Sequence, residues 1–292
     1  MSSTSSPVLP HALDLPIFRY LKDKRVVLAS SSRHRKERLE VSGLNPEVIP
    51  STFPKNLPHE DYANAPSAYP VATAMEVYHR LIAKDNKNAP GLIISGDTVV
   101  IFHPPAPAAG DINDCTTVNG NAFARLIMSN KFNQEIQDFG KGHNKGKGNN
   151  NREALTDEKV QPSRSSRNQW TRMSRQYKTL IELNGKKCEI VTGVTIVYPT
   201  TTDPGYELRY KTGSLSIAVS TLVEFNNNSP ELNKAYVEKG EGGTRCGGFS
   251  TRGMGGVLIK SVQGDYDNVT GFPTSAFWRW ITRLYEEGAF SE

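Results

Sequence analysis

An apolar stretch, Val26-Val27-Leu28-Ala29, runs straight into three serines and then into Arg33-His34-Arg35-Lys36-Glu37-Arg38-Leu39. A β-branched run followed at once by helix formers makes a strand, a tight turn and a helix, the opening unit of an α/β fold. The spacing predicts a strand over 26–29 and a helix over 33–42, with Ser31 or Ser32 as N-cap and Gly43 just past the end. Serine hydroxyls and unpaired backbone N–H groups at a helix start make an anion site.

A second stretch, Ile94-Ser95-Gly96-Asp97-Thr98-Val99-Val100, places a carboxylate inside a strand predicted over 92–102. An acid in an apolar run is costly unless a metal ion or a hydrogen-bond donor offsets it. Perturbed buried acids cluster at functional sites, which makes Asp97 the candidate reactive group. Its plain structural alternative is an acid bonded to N–H groups of the Ser95-Gly96 turn. Arg33, Arg35, Lys36 and Arg38 crowd the first turns of their helix, where each positive charge costs a few tenths to about 1 kcal/mol against the macrodipole. A bound polyphosphate reverses that sign, and a solvated basic face tolerates it. Both readings stand on these residues alone. Asp265 and Asp267 sit in Gly264-Asp-Tyr-Asp-Asn and read as turn formers. The six histidines show no metal-ligand spacing.

Further along, the pattern predicts a short strand at 47–50 and a helix at 71–84. A helix over 170–183 stopped by Gly185 follows, then strands at 189–198 and 215–225 joined by Asp203-Pro204-Gly205 as an antiparallel pair. Ser229-Pro230-Glu231 opens a short helix. A strand at 257–262 and a final helix capped by Thr274, with Phe277, Ile281, Leu284 and Tyr285 on one face, complete the chain. Between 103 and 167 the sequence is Pro-, Gly-, Asn- and Lys-rich and too polar to order itself, apart from an apolar patch at Ala122–Met128 that reads as a transient helix. The expected organisation is a flexible tail over 1–24, one α/β domain formed by 25–102 and 168–292, and a disordered insertion over 103–167.

The net charge is +5 over 292 residues, yet Lys141 to Arg175 alone holds nine basic and three acidic residues. The basic balance belongs to that tract, so contact with nucleic acid or an acidic partner is expected only through it, and with nucleic acid only non-specifically. Three scattered cysteines fit a reducing compartment rather than a disulfide framework. With no basic-then-apolar leader and no apolar run near the length of a membrane span, a soluble cytoplasmic protein is expected.

Four motifs occur in order: Leu28-Ala29-Ser30-Ser31-Ser32-x-x-Arg35, Ser95-Gly96-Asp97-Thr98-Val99, Val191-Thr192-Gly193-Val194 and Gly264-Asp265-Tyr266-x-Asn268-Val269-x-Gly271-Phe272-Pro273. In these the chain resembles the Maf family of nucleoside triphosphate pyrophosphatases, from Arg25 to Phe102 and from Tyr177 to Glu286. The resemblance implies an α/β fold of the inosine-triphosphatase-like type, a mixed twisted sheet in two lobes with a central cleft. It implies hydrolysis of a nucleoside triphosphate, a pyrimidine such as dTTP or UTP or a modified nucleotide, to the monophosphate and pyrophosphate. A divalent metal, Mg²⁺ or Mn²⁺, is the implied cofactor, and a homodimer is common in the family. Asp97 matches the family's catalytic acid, Ser30, Ser32 and Arg35 its phosphate loop, and Thr98 a position linked to base choice.

The chain departs from the pattern at several points. Arg33 and His34 stand where the family has Pro-Arg. Lys55 stands where it has a metal-binding glutamate. A helical turn carrying a lysine is missing before Met75. The family's Lys-Pro is matched by Lys159 and Pro162, displaced by the insertion and split by two residues, and its Asp-Lys-Ala-Gly by Thr244-Arg245-Cys246-Gly247, without the acid. Arg252 replaces a glutamine tied to base recognition. With Arg252, His34 and Lys159 are the substrate-binding candidates that the resemblance implies at departing positions. These exchanges leave the metal-binding residues unassigned and open a second reading, a degenerate relative that binds nucleotide with little or no hydrolysis.

Overall fold

The computed structural model describes residues 6–54, 66–85, 88–102, 125–127, 164–200 and 211–290. Its organising element is β3 (Leu92–Phe102), an apolar strand buried along most of its length. On one side β1 (Val26–Leu28) pairs with it in parallel, and β2 (Glu47–Val48) pairs in parallel with β1. On the other side β5 (Lys187–Thr200), β6 (Lys211–Phe225) and β7 (Ile259–Gly264) follow as an antiparallel meander. The order is β2-β1-β3-β5-β6-β7, and β4 (Arg125–Ile127) pairs with the far end of β3. This is the mixed α/β sheet that the sequence predicts.

Seven α-helices among the described residues cover the sheet: α1 (Pro16–Leu21), α2 (Arg33–Val41), α3 (Ala68–Lys84), α4 (Arg164–Leu183), α5 (Pro230–Glu238), α6 (Tyr266–Val269) and α7 (Thr274–Glu286). Strand alternation sorts the core. Leu92 and Ile94 join Leu39 of α2 and residues of α1 and α7 in one apolar cluster. Val100 and Phe102, in phase with them, join Leu180 and Leu183 of α4 and Tyr236 and Val237 of α5 in a second. Gly96 and Thr98 fall between the two clusters on that face and belong to neither, so the apolar packing divides into two lobes over one sheet. Ile93, out of phase, packs under Ala74, Val77 and Tyr78 of α3.

Several expectations change. Residues 6–24, expected within a flexible tail, are tied down. Val8 bridges to Leu44, and α1 buries Ile17, Phe18 and Leu21, with Phe18 and Trp278 ring centroids 4.4 Å apart. Six residues starting at a proline are too few to show a helical period. Within the patch expected as a helix, Arg125–Ile127 form β4 instead, because the outer end of β3 offers them a strand partner at Val100–Phe102. Helix α4 begins at Arg164 rather than Trp170. Val257 and Leu258 lie in a 3₁₀ segment, Met254–Leu258, before β7. Thr274 is the first helical residue of α7 and Pro273 occupies its N-cap, so no side chain caps that end. Most of the insertion, Lys55, Lys159 and the Asp203-Pro204-Gly205 turn lie outside the described residues. Among the described residues no helix is long and apolar enough to cross a membrane.

Candidate active site

The cleft lies where the sheet is incomplete. Strand β1 reaches β3 only at Leu92–Ile94, and β4 only at Val100–Phe102. Between them the β3 edge carrying Gly96, Asp97 and Thr98 faces the Ala29–Ser32 turn, across a cavity of about 460 Å³. That is the size of a small-ligand pocket. Crevices beyond the carboxyl ends of parallel strands are the usual ligand sites of α/β sheets. Neighbouring residues of a strand project to opposite faces, yet at an edge both reach the opening, so Asp97 and Thr98 line it together.

Arg35, one helical turn before Leu39, is 8% exposed and anchors the turn. Its Nη1 donates to Ser30 Oγ at 3.0 Å, its Nη2 to Thr98 Oγ1 at 3.0 Å and its Nε to the Gly271 carbonyl at 3.1 Å. Ser30 Oγ also accepts from the Ser32 N–H at 3.2 Å. Ser32 is the N-cap of α2, but its side chain makes no capping bond to the helix. A Cβ at Gly96 would stand 3.2 Å from Arg35 Nε, so the glycine leaves room for the guanidinium. Burial lowers the Arg35 pKa, and the charge of Asp97 opposes that shift.

The other motifs brace this arrangement. Thr192 on β5 meets Thr98, Oγ1 to Oγ1, at 3.0 Å. Opposite Asp97 in the sheet, Gly193 has no room for a side chain, because a Cβ there would overlap the Pro66 carbonyl. Buried Asn268 donates to the carbonyls of Ile190 and Val219 and to Thr221 Oγ1, tying α6 to β5 and β6. Asp265 caps α6, and Asp267 joins Arg38 at 3.1 Å and Arg252 at 2.9 Å. Both are structural, as the sequence predicts.

Ser30, Ser32, His34, Arg35, Asp97 and Thr98 thus share one cleft. Arg252 does not line it. Its guanidinium pairs with Asp267 and stands 6.0 Å from the Tyr266 ring centroid. Burial and the charge of Arg245 lower the His34 pKa, with Glu37, 3.3 Å away, opposing them. Sequence reasoning omits Arg245 and Cys246 from the site, although the 3₁₀ turn Cys246–Gly248 brings both to the cleft. The Cys246 thiol donates to the Thr98 carbonyl at 3.1 Å. The available signal was the position of these residues in the family's Asp-Lys-Ala-Gly motif. Phe53, Tyr69 and Thr73 complete another wall.

A hydroxyl-lined helix start, a buried cation and one carboxylate on a shared opening suit an anionic ligand that reacts beside an acid. A family model, Maf-like protein, matches residues 25–122 and 170–284, well over half of the chain. The chain belongs to the Maf-like family. Among similar proteins, a human one named probable bifunctional dTTP/UTP pyrophosphatase/methyltransferase protein is 30% identical over 274 residues. That match covers 92% of this chain and 34% of the relative, so the chain spans about a third of the human protein's length. A Schizosaccharomyces pombe protein named dTTP/UTP pyrophosphatase is 26% identical over 284 residues, 94% of this chain and 90% of its own. A Ruminiclostridium cellulolyticum protein of the same name is 24% identical over 265 residues, 90% and 98% respectively. In this Maf-like chain all four ordered motifs line the cleft or hold the residues that do.

Proposed function

We propose that this chain hydrolyses a nucleoside triphosphate to the monophosphate and pyrophosphate, with dTTP and UTP as its substrates, after the names of its relatives. The observation that carries the reading is Arg35, a buried cation held by three neutral acceptors at a helix N-terminus, beside the half-buried Asp97. A buried charge bonded to no carboxylate among these contacts is what a binding site for a polyanion requires. The Ser30–Ser32 turn and the first turn of α2 bind the phosphates, and Arg35 holds that turn against Thr98. Asp97 takes the proton of a water that attacks the α-phosphorus while the bond to the β-phosphate breaks and pyrophosphate leaves. Thr98, adjoining Asp97, contacts the nucleoside.

Asp97 is the one carboxylate among the described residues of the cleft, and no group of three or more metal-binding side chains exists among the described residues. That donor set fits Mg²⁺ or Mn²⁺ as an ion that binds with the triphosphate and takes a single protein carboxylate, a common mode for Mg²⁺. Such an ion supplies charge neutralisation at the phosphates. The same scarcity of carboxylates favours the second reading, a nucleotide binder with little hydrolysis.

Pyrophosphate release from a panel of nucleoside triphosphates separates the two. The expected result is turnover of dTTP and UTP, reduced by about 10²- to 10⁴-fold in Asp97→Asn. Activity unchanged in that variant would remove Asp97 from the chemistry. Nucleotide binding without turnover would support the degenerate reading.

A further inference from the structure

The cleft is lined from two lobes, and the lobe built on α4 and α5 contributes a cation of its own. Arg245 precedes the 3₁₀ turn Cys246–Gly248, and that turn is firmly held. The Gly248 N–H donates to the Arg245 carbonyl at 3.2 Å, and buried Gln176 of α4 donates to the Gly248 carbonyl at 2.8 Å. Gly247 adopts φ 75, and a Cβ there would lie 2.6 Å from the Phe249 ring. The Cys246 thiol ties the same turn to β3 at Thr98, the residue after Asp97.

Arg35 is held by three neutral acceptors, and three further arginines near the site have their charge answered. Arg33 pairs with Glu37 at 2.8 Å, and Arg38 and Arg252 share Asp267. Arg245 forms no ion pair among the described residues, and it lines the cleft half-buried. Its charge reaches His34 in the first turn of α2, so it adds to the positive pole of that helix rather than balancing it. Like charges gathered this way are unfavourable until an anion spans them.

We propose that Arg245 grips the polyphosphate of the substrate from the second lobe, completing a clamp whose other half is the serine turn. A guanidinium presents a planar fork of donors matched to phosphate oxygens, and such charge-assisted bonds are about twice as strong as neutral ones. This rests on the proposed nucleoside triphosphate substrate and adds to it a residue that reads the length of the phosphate chain.

The test is calorimetric binding, with Mg²⁺ present, of the α,β-imido analogues of UTP and dTTP and of the two monophosphates. The proteins are wild type, Arg245→Ala and Arg245→Lys, with thermal unfolding in parallel. Arg245→Ala should weaken the triphosphate analogues by about 10- to 100-fold. It should leave the monophosphates within about threefold and the melting temperature unchanged, and Arg245→Lys should recover part of the loss. Undiminished analogue binding in Arg245→Ala, or equal loss of tri- and monophosphate, would overturn the inference while leaving the proposed substrate standing. Failure of the wild-type chain to bind any nucleotide would overturn the substrate reading, and the clamp with it.

Discussion

Arg35 and Arg245 face the same cleft from different lobes and are built in opposite ways. Arg35 is buried, with three of its five N–H groups directed at a hydroxyl on its own turn, a hydroxyl on β3 and a carbonyl of the Gly264–Pro273 motif. Arg245 is half-buried on a glycine-rich turn, and among the described residues its position is set by backbone bonds and by Cys246 rather than by bonds from its guanidinium. The first cation organises the site and the second is available to what enters it. A polyanion site needs both, because donors fixed in advance cost no reorganisation on binding and a movable fork adjusts to the ligand.

Arg35→Ala breaks this comparison most severely. It removes the link between the serine turn, Thr98 and Gly271, so activity should fall by about 100-fold or more. Arg35→Lys should restore little of it, since a single ammonium cannot replace three bonds from one planar fork. Steady-state kinetics beside thermal melts would check this, and near-normal turnover in Arg35→Ala would make the residue dispensable.

A smaller effect is expected where preorganisation lies further from the ligand. Glu76 accepts from Ser51 Oγ, the Thr52 N–H, Thr52 Oγ1 and Arg80, holding the segment that brings Ser51 and Phe53 to the cleft. Partial burial raises its pKa, but these bonds outweigh burial and hold it below the usual glutamate value. A depressed carboxylate contributes stability above its unfolded pKa of about 4.3 and loses it as pH falls through the folded value. Glu76→Gln should therefore cost about 1–2 kcal/mol near neutral pH and nothing at low pH. Urea unfolding at the two pH values would show a constant difference if the bonds carry no charge dependence.

The smallest effect belongs to His34, whose folded pKa is lowered chiefly by burial and then by Arg245, with Glu37 opposing. The unfolded chain takes up the proton first, so this contribution is present above about pH 6.5 and fades below it. Unfolding of His34→Asn at about pH 7.5 and about pH 5.5 should show a slightly flatter pH dependence than wild type. Repeating the measurement in Arg245→Ala should shrink that difference only in part, since burial, the larger cause, remains.

How far these features could be read in advance depended on the range of the forces involved. Strand β3 and helix α2 follow from local patterns, two apolar runs flanking Ser95–Thr98 and a serine-bounded basic helix, and the structure returns nearly the same bounds. The serine turn and Asp97 were legible because a strand end, a helix start and a buried acid are local signals. Helix α1 was hidden because its six residues are stabilised by Trp278 and the rest of α7, far along the chain. Arg245 and Cys246 sit in an irregular stretch between Gly240 and Gly248, where no period exists to read. Arg252 fell to a competing partner, since Asp267 is placed to take its charge. The division into lobes was legible only through the family resemblance. Its physical cause, Gly96 and Thr98 breaking an apolar face, appears once the strand is packed.

The proposed reaction rests on one placement: phosphates against the strand-to-helix junction, with the acid of β3 delivering water to the innermost phosphorus. Turnover of UTP and dTTP in ¹⁸O-labelled water, read by mass spectrometry, tests it directly. Label in the nucleoside monophosphate and none in pyrophosphate is the predicted outcome. Label in released orthophosphate or in pyrophosphate would mean attack at another phosphorus and would contradict it.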